Sequence, residues 1–287
     1  MMKAKNMKKA KLTIIILNHN TKALLADCLD SIKKNNDDIS LQVIVSDNSS
    51  TDGSVEMIKK NYKWVELLQG PNISFSNGNN RARKYTKGEY ILFLNSDTIV
   101  HKDTLTKCVE YLDKHNDVGA LTCKLVLPDG SLDKDARRRF PTPSIYLNAF
   151  IFNNKDRYWY QDIPANITHE VEVIQGAFFL TTKKILDQVG WLDEKYIFDG
   201  EDLDLSFQIK KAGYKVVYYP DVAITHIKKA SKNNFSGVTR KMQGVDSLMR
   251  FHTKNMSQQY SFVINCLVLI GLIFLKLLRF IKAITYK

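Results

Sequence analysis

Apolar and polar residues alternate in blocks along the first hundred positions, and the blocks keep one rhythm. Leu12–Leu17 is a continuous, mostly β-branched run, which predicts a strand buried on both faces. Asn20 or Thr21 can cap a following helix, in which Leu25, Cys28, Leu29 and Ile32 share a face. Leu41–Val45 predicts a second buried strand ending in the polar turn Ser46-Asp47-Asn48-Ser49-Ser50-Thr51-Asp52-Gly53. Ser54–Asn61 reads as a helix with Asp52 as its candidate cap, and Val65–Leu68 as a short third strand. Asn77–Lys87 reads as a helix closed by Gly88, and Tyr90–Leu94 as a fourth strand buried on both sides. Strand and helix in strict succession predict an α/β fold with a mostly parallel, doubly wound sheet.

The rhythm then loosens. Asp103–His115 is helical in pattern, Val118–Leu127 extended, and Pro128-Asp129-Gly130 a turn. Residues 131–166 are irregular, basic and aromatic, and a loop region of that length is usually functional or mobile. Val171–Leu180 returns to strand, interrupted at Gly176-Ala177. Lys183–Val189 and Glu201–Ala212 predict helices, and Val216–Tyr219 and Val222–Thr225 the last strands.

Phe262–Leu275 is apolar except for Asn265 and Gly271, after which Lys276, Arg279 and Lys282 punctuate further apolar residues. The uncharged stretch is shorter than the ~18 to 20 residues of a spanning helix. It therefore reads as a helix lying in or dipping into a membrane interface, with a spanning helix, tilted or plain, or a soluble packing or oligomer helix as the alternatives. At the other end, the lysines before residue 12 resemble the start of a signal peptide. The apolar run behind them stops at Asn18-His19-Asn20 without a cleavage site, so a first buried strand explains it better.

Composition adds a constraint on partners. The chain has 287 residues, 44% hydrophobic and 25% charged, with a formal net charge of +12. It is a globular chain, and its basicity calls for an anionic partner: nucleic acid, a phosphorylated substrate or an acidic lipid surface. Lys228, Lys229, Lys232, Arg240, Lys241, Arg250 and Lys254 stand against one acid, Asp246, directly before the apolar helix. That position suits lipid headgroups or substrate phosphates, and no nucleic-acid-binding motif is present. Cys28, Cys108, Cys123 and Cys266 form no C-x-x-C pair or zinc spacing and read as reduced thiols.

Candidate chemistry gathers at strand ends. In open α/β sheets, ligands bind at the carboxyl ends of the strands. Here those ends read Asn18-His19-Asn20, Ser46-Asp47-Asn48 and Asn95-Ser96-Asp97. Neither G-x-G-x-x-G nor G-x-x-x-x-G-K-[ST] occurs, which argues against a nicotinamide dehydrogenase and a P-loop ATPase. Asp97 is placed to hold a divalent cation against a diphosphate, and His226 to complete that site. Glu201, Asp202 and Asp204 crowd a helix start, where clustered carboxylates suit a general base.

Several of these segments together resemble family 2 glycosyltransferases. Thr13 to Asn20 resembles their opening strand, and Val45 to Ser54 their second nucleotide-binding element. Gly78-Asn79-Asn80 and Gly88 to Thr98 are similar to the segment with the D-x-D motif. Arg138-Arg139-Phe140-Pro141-Thr142-Pro143 looks like a stretch of the rhamnosyltransferase branch. Gly190-Trp191-Leu192-Asp193-Glu194, Glu201 to Leu205, and His226 resemble its acceptor-side signature.

The resemblance implies a GT-A fold and an inverting, metal-dependent sugar transfer from a dTDP- or UDP-sugar. The acceptor would be a glycan, possibly lipid-linked, and the place of action the cytoplasmic face of the cell membrane. It assigns donor contacts to Leu17, Asn18, Asp47, Asn79, Asn80, Ser96 and Asp97, and Mg2+ or Mn2+ to Asp97 and His226. It makes Asp202 the base and Glu201 the residue that orients the acceptor, with Arg138, Arg139, Gly176 and Trp191 as acceptor or diphosphate contacts. Asn95 departs from the aspartate many relatives carry there, leaving Asp97 as the charged ligand of that motif. The implied layout is a basic tail (1–10), a catalytic domain (11–227) with a nucleotide-binding half to about 100 and an acceptor half beyond, a basic segment (228–260) and a membrane-associated helix (261–287).

Overall fold

The computed structural model describes residues 10–35, 39–151, 154–197, 199–228 and 237–285. The basic tail before residue 10 lies outside them, as do Lys229, Lys232 and the side chains of Arg240, Lys241 and Lys282. The first half follows the sequence pattern: β1 (Leu12–Asn18), α1 (Lys22–Lys34), β2 (Leu41–Asn48), α2 (Ser54–Asn61), β3 (Val65–Gly70), α3 (Phe75–Asn80) and β4 (Tyr90–Asn95). Then come β5 (Thr98–Val100), α4 (Thr104–Lys114), β6 (Val118–Val126), β7 (Arg137–Arg138) and α5 (Pro143–Ile151). The chain continues through β8 (His169–Val171), β9 (Val173–Ile174), β10 (Phe178–Thr182), α6 (Lys183–Val189), α7 (Glu201–Lys211) and β11 (Lys215–His226). Two helices, α8 (Gly237–Phe251) and α9 (Phe262–Thr285), follow.

The main sheet has the order β3-β2-β1-β4-β10-β6-β11-β5, with β8 beside β11. Strands β3, β2, β1 and β4 are parallel, as the pattern predicts. The parallel run is interrupted there, and resumes only between β6 and β11. Strand β10 runs antiparallel to both β4 and β6, and β5 and β8 run antiparallel to β11. The reason is the route of the chain: it re-enters the sheet from the Gly176-Ala177 turn beside the end of β4, where Asn95 N–H donates to Ala177 O at 3.2 Å. The sheet is therefore mixed. Ile14, Ile15, Ile16, Ile44, Leu92 and Phe178 are buried at its centre, which is why those strands carry continuous apolar runs.

Other expectations shift in detail. The helix expected over Asn77–Lys87 is the short α3 followed by a separate 3-10 turn, Arg83–Tyr85. The two last strands are one, β11, with a register irregularity between Tyr219 and Ala223 around Pro220, which has no N–H to give the ladder. The arm at 131–166 holds a 3-10 turn, β7 and α5. Cys28, Cys108 and Cys123 are buried free thiols, and Cys266 is a half-buried one.

Helix α9 is longer than the uncharged stretch suggests. Phe262–Ile281 is a 20-residue helical stretch of mean hydropathy 2.3, long and apolar enough to cross a membrane by length and composition. Lys276 and Arg279 do not interrupt its apolar face because they lie on the other one. Asn265, Leu272, Lys276 and Arg279 share the more buried stripe, and Lys276 Nζ meets Asp246 of α8 at 2.5 Å. Phe262, Val263, Leu267, Ile270, Ile273, Phe274 and Leu277 stay exposed.

Candidate active site

Chain order in the parallel half reverses between β1 and β4. The chain passes from β1 outward to β2 and β3, then returns to β4 on the other side of β1. A crevice opens at the carboxyl ends of such strands. Asn18 and Asp47 are register partners there, both buried, and Asn18 Nδ2 donates to Asp47 Oδ2 at 2.7 Å. Ser50 N–H donates to Asp47 Oδ1 at 2.9 Å, so the carboxylate is fixed on both oxygens. Thr21 Oγ1 donates to Asn18 Oδ1 at 2.6 Å and lies 2.9 Å from Ser96 Oγ, which joins the ends of β1 and β4. Thr21 thus serves the crevice and makes no side-chain cap for α1; Asp52 accepts from Lys22 N–H at 2.8 Å instead.

The turn after β2 is held from α3. Arg81 Nη1 donates to Ser46 Oγ and Asp47 O, and Nη2 to Asn48 Oδ1 and Pro71 O. Gly78 lets α3 approach: a Cβ built there would sit 2.3 Å from Leu17 Cδ1 and 2.9 Å from Asn48 Oδ1. The amides of Asn79 and Asn80 face the protein. Asn79 donates to Phe75 O, and Asn80 to Leu192 O and Glu194. Arg81 carries no motif of its own in the sequence, and only the fold shows that it grips four acceptors.

Asp97 and His226 come together from residues far apart in the chain. Strands β5 and β11 pair His226 with Thr98, and Ile227 N–H donates to Asp97 O at 2.9 Å. His226 Nε2 lies 3.5 Å from Asp97 Oδ1, with both side chains 5% exposed. The other ring nitrogen meets Asp133 Oδ2 at 2.8 Å, and Lys228 Nζ sits 2.6 Å from Asp133 Oδ1 and 2.8 Å from Asp135 Oδ2. Burial alone would push the His226 imidazole down, but the hydrogen bonds and charges of Asp133 and Asp97 raise it to about 9. Burial likewise disfavours the Asp133 charge, and His226 with Lys228 outweighs it and lowers that carboxyl.

This pair fits a divalent cation. Two ligands of one octahedral ion, each about 2.1 Å from it, lie about 3 Å apart. Asp133 orients the ring as a supporting carboxylate does in metal sites. Among the described residues no group of three or more His, Cys, Asp or Glu side chains forms a cage. A cation here would share its shell with substrate phosphate and water.

The carboxylate cluster lies across the Gly176 turn. Arg138 Nη2 reaches Asp202 Oδ2 at 2.6 Å, and Gly176 N–H donates to the same oxygen at 3.2 Å. Glu201 is buried and its Oε2 has no hydrogen-bond partner. Burial, then the charges of Asp202 and Asp199, push its carboxyl well above the usual range. Asp204 turns the other way, toward Lys254, Asn255 and Tyr196.

Other residues singled out in the sequence are engaged elsewhere. Arg139 forks onto Asp162 at 2.8 and 2.7 Å and stacks over Tyr160. Trp191 is buried against Phe93, with its Nε1 on Asp187. Of the basic segment, Lys228, Arg250 and Lys254 all pair with aspartates of the domain.

Known proteins share this architecture. The mannosyltransferase PcManGT from Pyrobaculum calidifontis, solved with GDP-Man and Mn2+, superposes with a TM-score of 0.59 at 19% identity, covering 98% of this chain and 75% of its own. Staphylococcus aureus TarS (residues 1–349) superposes at 0.57 with 17% identity, covering 95% and 80%. By sequence, rhamnosyltransferase WbbL of Escherichia coli K12 is 26% identical over 230 residues, 77% of this chain and 85% of its own. The N-acetylglucosaminyl-diphospho-decaprenol L-rhamnosyltransferase of Mycobacterium tuberculosis H37Rv is 26% identical over 211 residues, 67% and 68% of the two chains. The model of glycosyl transferase family 2 matches residues 13–190, more than half of the sequence. The chain belongs to glycosyl transferase family 2.

Proposed function

We propose that this glycosyltransferase moves a hexose, rhamnose being the leading candidate, from a nucleotide diphosphate donor to a glycan acceptor, with inversion, in cell-surface polysaccharide synthesis. The observation that carries the reading is Asp202. Its Oδ2 is held by Arg138 and Gly176, at a turn hydrogen-bonded to the end of β4. That leaves Oδ1 to take the proton from an acceptor hydroxyl. The hydroxyl oxygen then forms its bond to the anomeric carbon from the face opposite the leaving nucleotide diphosphate, whose bond to the sugar breaks. Glu201, whose carboxyl is pushed upward by burial and by Asp202, stands beside the base to orient the acceptor. Asn18 and Asp47 serve the nucleobase, beside backbone at Leu17, and the Ser96 and Asn79-Asn80 segments flank the donor. Asp97 and His226 would hold Mg2+ or Mn2+, which when bound neutralises charge on the departing diphosphate.

The catalytic unit is residues 11–227, donor half to about 100 and acceptor half after it. The WbbL and mycobacterial relatives, named as rhamnosyltransferases, favour rhamnose as the sugar, carried by a dTDP- or UDP-donor, and the second name favours a polyprenyl-diphosphate-linked acceptor. The exposed apolar face of α9 suits attachment at the cytoplasmic face of the membrane. Because the opposite stripe of α9 packs along the polar α8 and pairs with Asp246, the helix is expected to lie in the interface.

Two substitutions separate the parts. Asp202→Asn should cut kcat by about 100-fold or more, the usual contribution of a positioned base, and leave donor affinity within about twofold. Asp97→Ala should instead weaken donor binding measured by calorimetry with Mn2+. Full turnover by Asp202→Asn would sink the base assignment, and unchanged donor affinity in Asp97→Ala the metal assignment.

A further inference from the structure

We infer that Arg138 is a positioning residue for the Asp202 base, not a contact for the donor diphosphate; the inference rests on the reading of Asp202 as the base. Strand β7 is two residues long and, among the described residues, pairs only with β9, Arg138 standing opposite Val173. Its neighbours turn away: Arg137 donates to Ile163 O and Pro164 O, and Arg139 forks onto Asp162. Arg138 alone of the three reaches Asp202, at 2.6 Å, with side chains 16% and 11% exposed.

Two donors from different segments, the Arg138 guanidinium and Gly176 N–H, converge on one carboxylate oxygen, Oδ2. A carboxylate held in that way has its plane and rotamer fixed, and Oδ1 is presented as the proton acceptor. The surrounding charge makes the cation necessary. Glu201 and Asp199 lie beside Asp202 on its own segment, Asp135 faces Arg138 from the turn before β7, and Tyr158 faces the pair from beyond α5. Within this group Asp135 also has Lys228, and Arg138 is the cation that meets Asp202. Turning the Nη2 that meets Asp202 toward a phosphate would break that contact and cost the carboxylate its cationic partner beside Glu201.

The arrangement also gives the irregular arm a role. Residues 131–166 deliver Arg138 to the base, and the Arg137 and Arg139 anchors brace the strand that carries it.

The test is Arg138→Ala and Arg138→Lys in the full-length enzyme, with kcat, acceptor and donor KM, donor Kd by calorimetry, and Tm measured for each. Arg138→Ala should lower kcat about 10- to 100-fold, the scale of a misplaced catalytic group, with donor Kd within about twofold. Added guanidinium ion should restore part of its turnover, and none of that lost in Asp202→Asn. Should the alanine variant not fold, Arg138→Lys carries the test: it keeps a cation but loses the fork, and its kcat should fall about 10-fold at unchanged donor Kd. Wild-type kcat in either variant, or a weakened donor Kd at unchanged kcat, overturns the inference. An active Asp202→Asn would remove the base beneath it, whereas an inactive Asp202→Asn beside a fully active Arg138→Ala would refute this inference alone.

Discussion

The residues that define the site differ in how far the sequence exposes them. Asp47, Asp97 and Asp202 stand at strand or helix ends inside recognisable segments. Asp133 does not. It lies in an ordinary polar turn, 93 residues from His226, and nothing in its spacing links the two. Such a partnership exists only after β6 and β11 pair. It has a measurable consequence. In the metal-free protein the His226 imidazole is raised from its ordinary 6.5 to about 9, so the folded state binds a proton more tightly than the unfolded chain. The stabilisation is fully present below about pH 6.5 and is lost as pH rises through about 9. Its size is on the order of 3 kcal/mol. Chemical denaturation between pH 6 and 10 should show that loss, and Asp133→Asn should reduce it; a pH-independent wild-type stability would contradict the assignment.

At the scale of elements, the continuous apolar runs of β1, β2 and β4 were legible because burial on both faces leaves no choice of residue type. The short pieces were not. Helix α3 is six residues long, below the length at which periodicity speaks, and β7 is two. Both matter, since Arg81 just after α3 holds the turn after β2 and β7 carries Arg138. Gly78→Ala should therefore act out of proportion to its size. A Cβ 2.3 Å from Leu17 Cδ1 and 2.9 Å from Asn48 Oδ1 forces those side chains or α3 to shift. The expected cost is about 1–3 kcal/mol of stability together with weaker donor binding, read by thermal melts and calorimetry. Wild-type values in both would show that α3 can shift freely.

For the molecule as a whole, α9 is tied at its start and midway to the segment that precedes it. Asn265 holds His252, Ser257 and Tyr260 near its start, and Lys276 meets Asp246 further along. The sequence showed the apolar run but not which face its cations occupy, because that depends on α8 packing beside it. The net charge, read in the sequence as a lipid- or phosphate-binding segment, is partly consumed by internal pairs at Lys228, Arg250 and Lys254. Membrane attachment should then depend mainly on apolar area. Replacing Leu267, Ile270 and Phe274 by serine should release the protein from anionic vesicles in flotation assays, with the fold retained by circular dichroism. Undiminished flotation would rule out that face as the attachment surface.

The transfer itself has one stereochemical signature. A single displacement assisted by Asp202 inverts the anomeric carbon, whereas a double displacement through an enzyme-bound sugar retains its configuration. Donor screening with dTDP-rhamnose and UDP-sugars identifies the substrate, and NMR of the first-formed product then reads the new linkage. The account predicts an anomeric configuration opposite to that of the donor; a product of retained configuration would contradict it.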